Sequence, residues 1–293
     1  MENFKSGFVT VIGRPNVGKS TLVNRIVGEK VAIVSNKPQT TRTRITAIYQ
    51  DEESQIVFVD TPGVHKPRNK LGNYMVNAAL TTMDDMDAVL LMVDAAKNVV
   101  DEAIIKKISQ SKAATILVVN KIDLVAKERV LEIIAQYNEL CNFDTIVPIS
   151  AQKDDGIDIL MNEIKKYLPY GPKYFPDDMI TDQPEKQMVG EMIREKVLRF
   201  LSDEVPHGVA VEIEEMKYER EICRINAVIY VEKDTHKRII IGKNGEMMKK
   251  IASSARHEIE RFLGGKVYLE IWVKVKNDWR NSDFLLKNFG FEE

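Results

Sequence analysis

Cysteine is nearly missing from this chain. Cys141 and Cys223 are the only two among 293 residues, far apart and in no metal-ligand spacing. That excludes a disulfide scaffold and a zinc cluster, and it fits a reducing compartment and hence a cytoplasmic location. Long hydrophobic runs are missing too. No stretch of about 18 apolar residues occurs, so no segment reads as a membrane-spanning helix. The N-terminal MENFKSGFVTVIG holds no apolar run long enough for a signal peptide. Peripheral contact with the inner face of the cell membrane stays open. Neither sign of charge dominates, since the formal net charge is −2. Any surface that binds a polyanion must therefore be a local patch. Internal repeats and low-complexity tracts are lacking as well. The 44 % hydrophobic and 29 % charged content supports a sizeable core under a soluble surface, in a chain long enough for about two domains.

The first part of the chain alternates. Apolar runs at 8–12 (FVTVI), 56–59 (IVFV), 88–93 (AVLLMV), 115–119 (TILVV) and 145–149 (TIVPI) read as buried strands. Helical spacing is expected over 20–28, 101–111, 126–139 and 157–167. Strands alternating with helices predict an α/β fold, a mostly parallel sheet with helices on both faces. The segment 168–185 breaks the pattern, because prolines at 169, 172, 176 and 184 forbid a continuous helix or central strand. It reads as a linker with the boundary near 175–183, giving domains over 1–175 and 183–293. In the second part, 185–201 is amphipathic, and 208–216 and 222–231 alternate as an antiparallel hairpin. RIIIGKNG, a helical run to Phe262 and a strand at 266–275 follow. This is a small α+β domain with a sheet covered on one side.

Residues 13–20, GRPNVGKS, fit the phosphate-binding loop pattern between a strand and a helix. Gly13, Arg14, Pro15, Asn16, Val17 and Gly18 would turn backbone amides toward phosphate oxygens at a helix N-terminus. Lys19 would bridge the β- and γ-phosphates, the Ser20 hydroxyl would ligate Mg²⁺, and Thr21 continues the loop into the helix. Asp60 ends a strand and opens DTPG, with Thr61, Pro62 and Gly63. Its carboxylate can hold Mg²⁺ through water, and the Gly63 amide can meet the γ-phosphate. Between them lies SNKPQTTRTR, 35–44, where Thr40 and Thr41 are both candidates to reach Mg²⁺. NKID, 120–123, follows a strand. Asp123 can accept from both N1–H and N2–H of guanine, a donor pair that adenine lacks. Asn120 would support the loop and N7, Lys121 would lie over the base, and Ser150 and Ala151 would complete the pocket. The segments 35–44 and 60–75 are expected to switch with nucleotide state.

The second part carries Gly242–Lys243–Asn244–Gly245 between an apolar segment and a helix. A GxxG loop so placed lets the chain approach a sugar–phosphate backbone, with an adjacent groove for about four unpaired bases. From Lys237 to Lys250 there are five positive residues (Lys237, Arg238, Lys243, Lys249, Lys250) against Glu246. Arg256, Arg261 and Lys266 follow, so the positive charge is expected around the loop. Ile239, Ile240, Ile241 and Ile251 line or support the groove, or belong to the core. Trp272, in an alternating strand, reads as core, and Trp279 could pack a C-terminal helix. No aromatic stacking platform is evident.

GRPNVGKS, QTTRTR, DTPG, NKID and SA together resemble the Era family of bacterial GTPases, over about residues 6–280. The resemblance implies a P-loop GTPase domain followed by a KH domain of the helix-first type. It also implies slow hydrolysis of GTP to GDP, binding near the 3′ end of small-subunit ribosomal RNA, and a role in small-subunit assembly, with no DNA partner. The family lacks a water-positioning glutamine after DTPG, and Val64 stands there in this chain. Asn16 matches the residue that coordinates K⁺ in potassium-activated relatives, so K⁺ joins GTP, GDP and Mg²⁺ among the expected ligands. Lys19, Asn16, Thr40, Thr41 and Gly63 are the expected catalytic set. His65 reads as a surface residue, not a general base. Two competing readings are an RNA-docking factor with structural nucleotide, and a membrane or cell-cycle signalling GTPase.

Overall fold

The computed structural model describes residues 4–35, 37, 39–64, 67, 69–83, 85–201 and 205–291. His65, and four residues of the two expected switch segments (36, 38, 66 and 68), lie outside the described residues. The chain forms two compact units. One comprises Met1–Ala32, Thr41–Lys66 and Met75–Asp182, and the other Ile33–Thr40, Pro67–Tyr74 and Gln183–Glu293.

In chain order the first part runs β1 (Lys5–Ile12), α1 (Lys19–Val27), β2 (Ile45–Gln50), β3 (Ser54–Asp60), α2 (Lys70–Thr81), β4 (Ala88–Asp94), α3 (Glu102–Ile108), β5 (Ala114–Asn120), α4 (Lys127–Leu140), β6 (Thr145–Ile149) and α5 (Ile157–Tyr167). The strands form a sheet of order β2-β3-β1-β4-β5-β6, parallel except for β2, which runs antiparallel to β3. β3 and β4 are buried at every position, as strands covered on both faces must be. That is why IVFV and AVLLMV are continuous apolar runs. The chain lays β3 and β2 on one side of β1 and β4 to β6 on the other. Such a reversal leaves a crevice at the carboxyl ends of the strands, where ligands bind in open sheets of this kind.

The proline-rich stretch is strapped to this unit. Ser6 N donates to Pro169 O at 3.1 Å and Gly171 N to Phe4 O at 3.1 Å. The buried Gln55 side chain accepts from Tyr174 N (2.7 Å) and Phe175 N (3.0 Å) and donates to Phe175 O (2.8 Å). Along β2, Ile48 N donates to Ile180 O at 2.9 Å, and Thr181 Oγ1 to Thr46 O at 2.6 Å.

The second unit holds α6 (Glu185–Phe200), β7 (Ala210–Glu219), β8 (Ile222–Val231), α7 (Asp234–Ile241), α8 (Glu246–Leu263), β9 (Lys266–Val275) and α9 (Asp283–Asn288). β7 and β8 form the antiparallel hairpin and β9 pairs parallel with β8. α8 buries Ile251, Ala255 and Ile259, one apolar stripe at four-residue spacing. Trp272 is not core. Val267 and Val273 face inward, while Lys266, Tyr268, Trp272 and Lys274 are exposed, Trp272 at 59 %. The alternation was legible, but its two faces were exchanged, because Trp272 lies on the parity of the uncovered face. Trp279 is fully buried. Its Nε1 donates to Gly208 O at 2.9 Å, and its ring meets Phe289 edge-on at 5.4 Å.

Candidate nucleotide site and RNA-binding loop

β1 ends at Ile12 and the loop opens into α1 with Gly18 at φ 109°. A Cβ on Gly18 would stand 2.3 Å from Asn120 Nδ2, so only glycine joins the loop to the base side of the site. Lys19 is 6 % exposed, and its Nζ donates to Gly13 O and Arg14 O, each at 3.2 Å. Burial lowers its pKa to about 8, and the Asp60 carboxylate opposes that shift.

Asp60 is fully buried. Oδ2 accepts from Ser20 Oγ at 2.6 Å, and Oδ1 has no hydrogen-bond partner. Burial raises its pKa, against Lys19 and the hydroxyls of Ser20 and Thr41. Thr41 Oγ1 lies 3.0 Å from Ser20 Oγ. Thr40 turns away, its hydroxyl donating to Lys37 O at 2.6 Å. The structure thus brings Thr41, not Thr40, to Ser20 and Asp60. The spacing suits a hard cation. Octahedral Mg²⁺ with oxygens at about 2.1 Å sets neighbouring ligands about 3.0 Å apart. The orphaned Asp60 oxygen is free to hold an ordered water of such an ion. Among the described residues no three His, Cys, Asp or Glu side chains cluster as metal ligands, so the remaining oxygens would have to come from phosphate and water.

Thr61 Oγ1 donates to Val11 O at 2.9 Å, and Val64 N to Gly13 O at 3.1 Å, so DTPG is tied to β1 and the loop. The Val64 side chain is buried in the apolar cluster that includes Ile12, Ala79 and Met83.

On the base side, Asn120 Nδ2 donates to Val17 O at 2.7 Å and its Oδ1 accepts from Ala151 N at 3.0 Å. Its amide therefore ties three loops together. Ser150 Oγ donates to Asp123 Oδ1 at 2.6 Å, orienting an exposed carboxylate. Lys121 Nζ donates to Asn16 O at 2.8 Å and pairs with Asp94 Oδ2 at 2.6 Å. Asn16 itself sits at φ 66°. Asp94 escaped the sequence reading. Its only signal is its place at the end of AVLLMVD, in register with Asn120. Within the second unit, Arg194 of α6 is 2 % exposed, and its Nη2 donates to Thr40 O.

In the second unit, the GxxG loop is a tight turn at the start of α8. Gly242 is at φ 75°, and a Cβ there would meet Met247 Cβ at 2.7 Å. Lys243, Asn244, Lys249 and Arg238 are exposed and Lys237 is half-buried. Lys250 Nζ lies 4.5 Å from the centre of the Phe200 ring, a cation–π contact. Ile240 and Ile251 are core, whereas Ile239 and Ile241 are 48 % and 36 % exposed beside the loop. The charge is less focused than expected. Arg256 and Arg261 follow Glu246 by ten or more residues on α8, and at 1.5 Å per residue they lie about 15 Å or more from the loop.

A phosphate loop over a β1/β4 crevice, an NKID carboxylate oriented by Ser150, and a separate GxxG module define a P-loop GTPase that carries a KH domain. Residues 8–121 match the family described as 50S ribosome-binding GTPase, and residues 204–280 match the KH domain. The chain is 54 % identical to GTPase Era of Ruminiclostridium cellulolyticum, over 99 % of this chain and 98 % of that one. It is 55 % identical to GTPase Era of Clostridioides difficile, over 99 % of each. Among solved structures it is similar to an Aquifex aeolicus Era variant bound to GDP·AlF4⁻. It is also similar to Era in complex with MgGDPNP and nucleotides 1506–1542 of 16S ribosomal RNA. Each shares 40 % identity and a TM-score of 0.95, covering 99 % of this chain and 100 % of that one. The chain belongs to the GTPase Era family.

Proposed function

We infer that this protein binds GTP with Mg²⁺, hydrolyses it to GDP and phosphate, and binds the 3′ region of small-subunit ribosomal RNA in assembly of that subunit. The observation that carries the reading is the meeting of Ser20, Thr41 and Asp60 at the crevice, on a chain similar throughout to an Era bound to MgGDPNP and 16S rRNA. Ser20 and Thr41 would hold Mg²⁺ directly and Asp60 through water. When bound, the ion supplies positive charge to the phosphoryl oxygens. Residues 13–21 cradle the phosphates, and Lys19 moves its ammonium from the Gly13 and Arg14 carbonyls to the phosphate oxygens. Gly63 offers its amide to the γ-phosphate. Asp123 selects guanine, with Asn120, Lys121, Ser150 and Ala151 shaping its pocket. In the other unit, Gly242–Gly245 approaches the RNA backbone, flanked by Lys237, Arg238, Ile241, Lys249 and Lys250.

Val64 cannot orient water, so intrinsic turnover is slow. K⁺ beside Asn16 adds charge at the phosphates; equal turnover in K⁺ and Na⁺ would sink that part. The location is cytoplasmic, matching two unpaired cysteines, with any membrane contact peripheral; cell fractionation tests it. Among the described residues no helix is long and apolar enough to cross a membrane.

The experiment for the whole reading is affinity for an RNA matching the small-subunit 3′ end, at fixed salt, with a GTP analogue, GDP or no nucleotide. A difference between nucleotide states supports a switch whose output is rRNA binding. Equal affinity in all three moves the protein to the docking-factor reading.

A further inference from the structure

Beside the phosphate loop lies a cavity of about 60 Å³. All of its lining belongs to the first unit. Arg14, Pro15 and Val17 of the loop form one wall, Ile104 and Ile105 of α3 another, and Tyr137 of α4 a third. Solvent meets the lining at the exposed Lys97 and Val99 and at the Arg14–Asp101 ion pair, 3.4 Å long with side chains 42 % and 20 % exposed. A pair so long and so open to water is weak, and it does not lock the entrance.

Tyr137 is the unusual member. It is 1 % exposed, and among the described residues its hydroxyl has no hydrogen-bond partner. Burying a hydroxyl unmatched is costly, and buried tyrosines usually find a partner. Burial pushes its pKa up to about 12, with Arg14 opposing and Asp101 adding to the shift. At neutral pH it is therefore an O–H donor. Both charges that it feels line the cavity, so the hydroxyl end of the ring faces that space. Apolar walls exclude a charged occupant, which would lose its hydration there. A single donor among them calls for a single acceptor. One water needs about 10–15 Å³ on this scale, so the space suits about four non-hydrogen atoms. A nucleobase does not fit.

We propose that this cavity is a ligand site for an uncharged molecule of about four non-hydrogen atoms that carries one acceptor, such as a short ketone held by the Tyr137 hydroxyl. Its occupancy is coupled to nucleotide binding through the shared loop. Lys19 Nζ donates to Arg14 O at 3.2 Å, a bond given up when the ammonium moves to phosphate. The occupant thus meets a different Arg14 wall in the two states. The coupling rests on the reading that residues 13–21 cradle phosphate, whereas the site itself does not.

The test is a titration of acetone into the full-length protein, read from the labelled isoleucine methyl resonances, with and without GDP. The Ile104 and Ile105 shifts are expected to saturate, and GDP to move the midpoint about fivefold or more. Tyr137→Phe keeps the shape and removes the donor. It should weaken acetone about threefold to tenfold, while xenon, which needs no donor, binds both proteins equally. Ile105→Phe fills the space and should abolish both. Shifts that rise without saturating, or that persist in Ile105→Phe, overturn the site. Equal acetone binding by wild type and Tyr137→Phe overturns the assigned ligand class. If GDP binds and leaves the acetone midpoint unmoved, the coupling fails. If GDP does not bind at all, the phosphate reading fails while a saturating acetone curve keeps the site. Should Ile105→Phe not fold, the acetone and xenon curves of Tyr137→Phe decide.

Discussion

Asp123 gives one carboxylate oxygen to Ser150, and in the proposed function its remaining acceptor capacity serves guanine. Asp123→Asn puts an amide N–H where guanine N2–H needs an acceptor. Leaving such donors facing each other costs about 3 kcal/mol. GDP affinity should fall 100-fold or more, and a xanthine nucleotide, with oxygen at C2, should be preferred. Competition between GDP and XDP checks this, and unchanged GDP affinity removes Asp123 as the selector. Val64 invites a different substitution, glutamine, to supply the absent water-orienting side chain. The structure predicts that it fails. The side chain is 5 % exposed and faces an apolar cluster, so Val64→Gln buries an amide without partners, at about 1–3 kcal/mol. The melting temperature should drop and kcat should not rise.

At the scale of elements, Asp51 holds the turn between β2 and β3. Burial pushes its carboxyl up, but hydrogen bonds from Lys165 and from Glu53 and Ser54 outweigh that and bring the pKa to about 2. The folded value lies below the unfolded one. The stability it contributes is therefore present above about pH 4 and lost as pH falls through about 2. Asp51→Asn should melt below wild type at pH 7, and the gap should close by pH 2 in thermal scans. The Gln55 side chain pins the linker to this hairpin. Gln55→Leu should raise hydrogen exchange at the Tyr174 and Phe175 amides, while the β4 and β5 amides stay protected. The long apolar strands and the GxxG–α8 junction were legible, because burial on both faces and glycine spacing leave strong local marks. β2, α2 and α7 were not. β2 lies in a segment whose polar neighbours read as a loop. α2 carries Gly72, a poor helix former, in its first turn. α7 contains the β-branched run Ile239–Ile241, which favours a strand by propensity and is helical here with only Ile240 buried. Thr41 rather than Thr40, and the pairing of Asp94 with Lys121, rest on long-range contacts that spacing cannot encode.

At the scale of the whole molecule, RNA affinity should fall with salt, since phosphate contacts release counterions. Lys243→Ala should reduce the slope of log K against log salt by about 0.7, the single-strand value for one phosphate. Arg261→Ala, toward the far end of α8, should leave the slope unchanged when the RNA is confined to the loop groove. Titrations from low to moderate salt separate the two. Equal slopes for wild type and Lys243→Ala would remove Lys243 from the backbone contacts.

The chain passes between its two compact units five times, after residues 32, 40, 66, 74 and 182. Domain dissection at the proline-rich strap would sever only the last of these passages. The excised N-terminal piece would keep 33–40 and 67–74 but lose partners they have in the second unit, Arg194 for Thr40 and Asp283 for Lys70. Kinetics measured on such a fragment would describe a GTPase lacking those bonds. The boundary drawn by sequence match and the boundary drawn by packing therefore differ, because 33–40 and 67–74 lie within the GTPase-family match yet belong to the second unit.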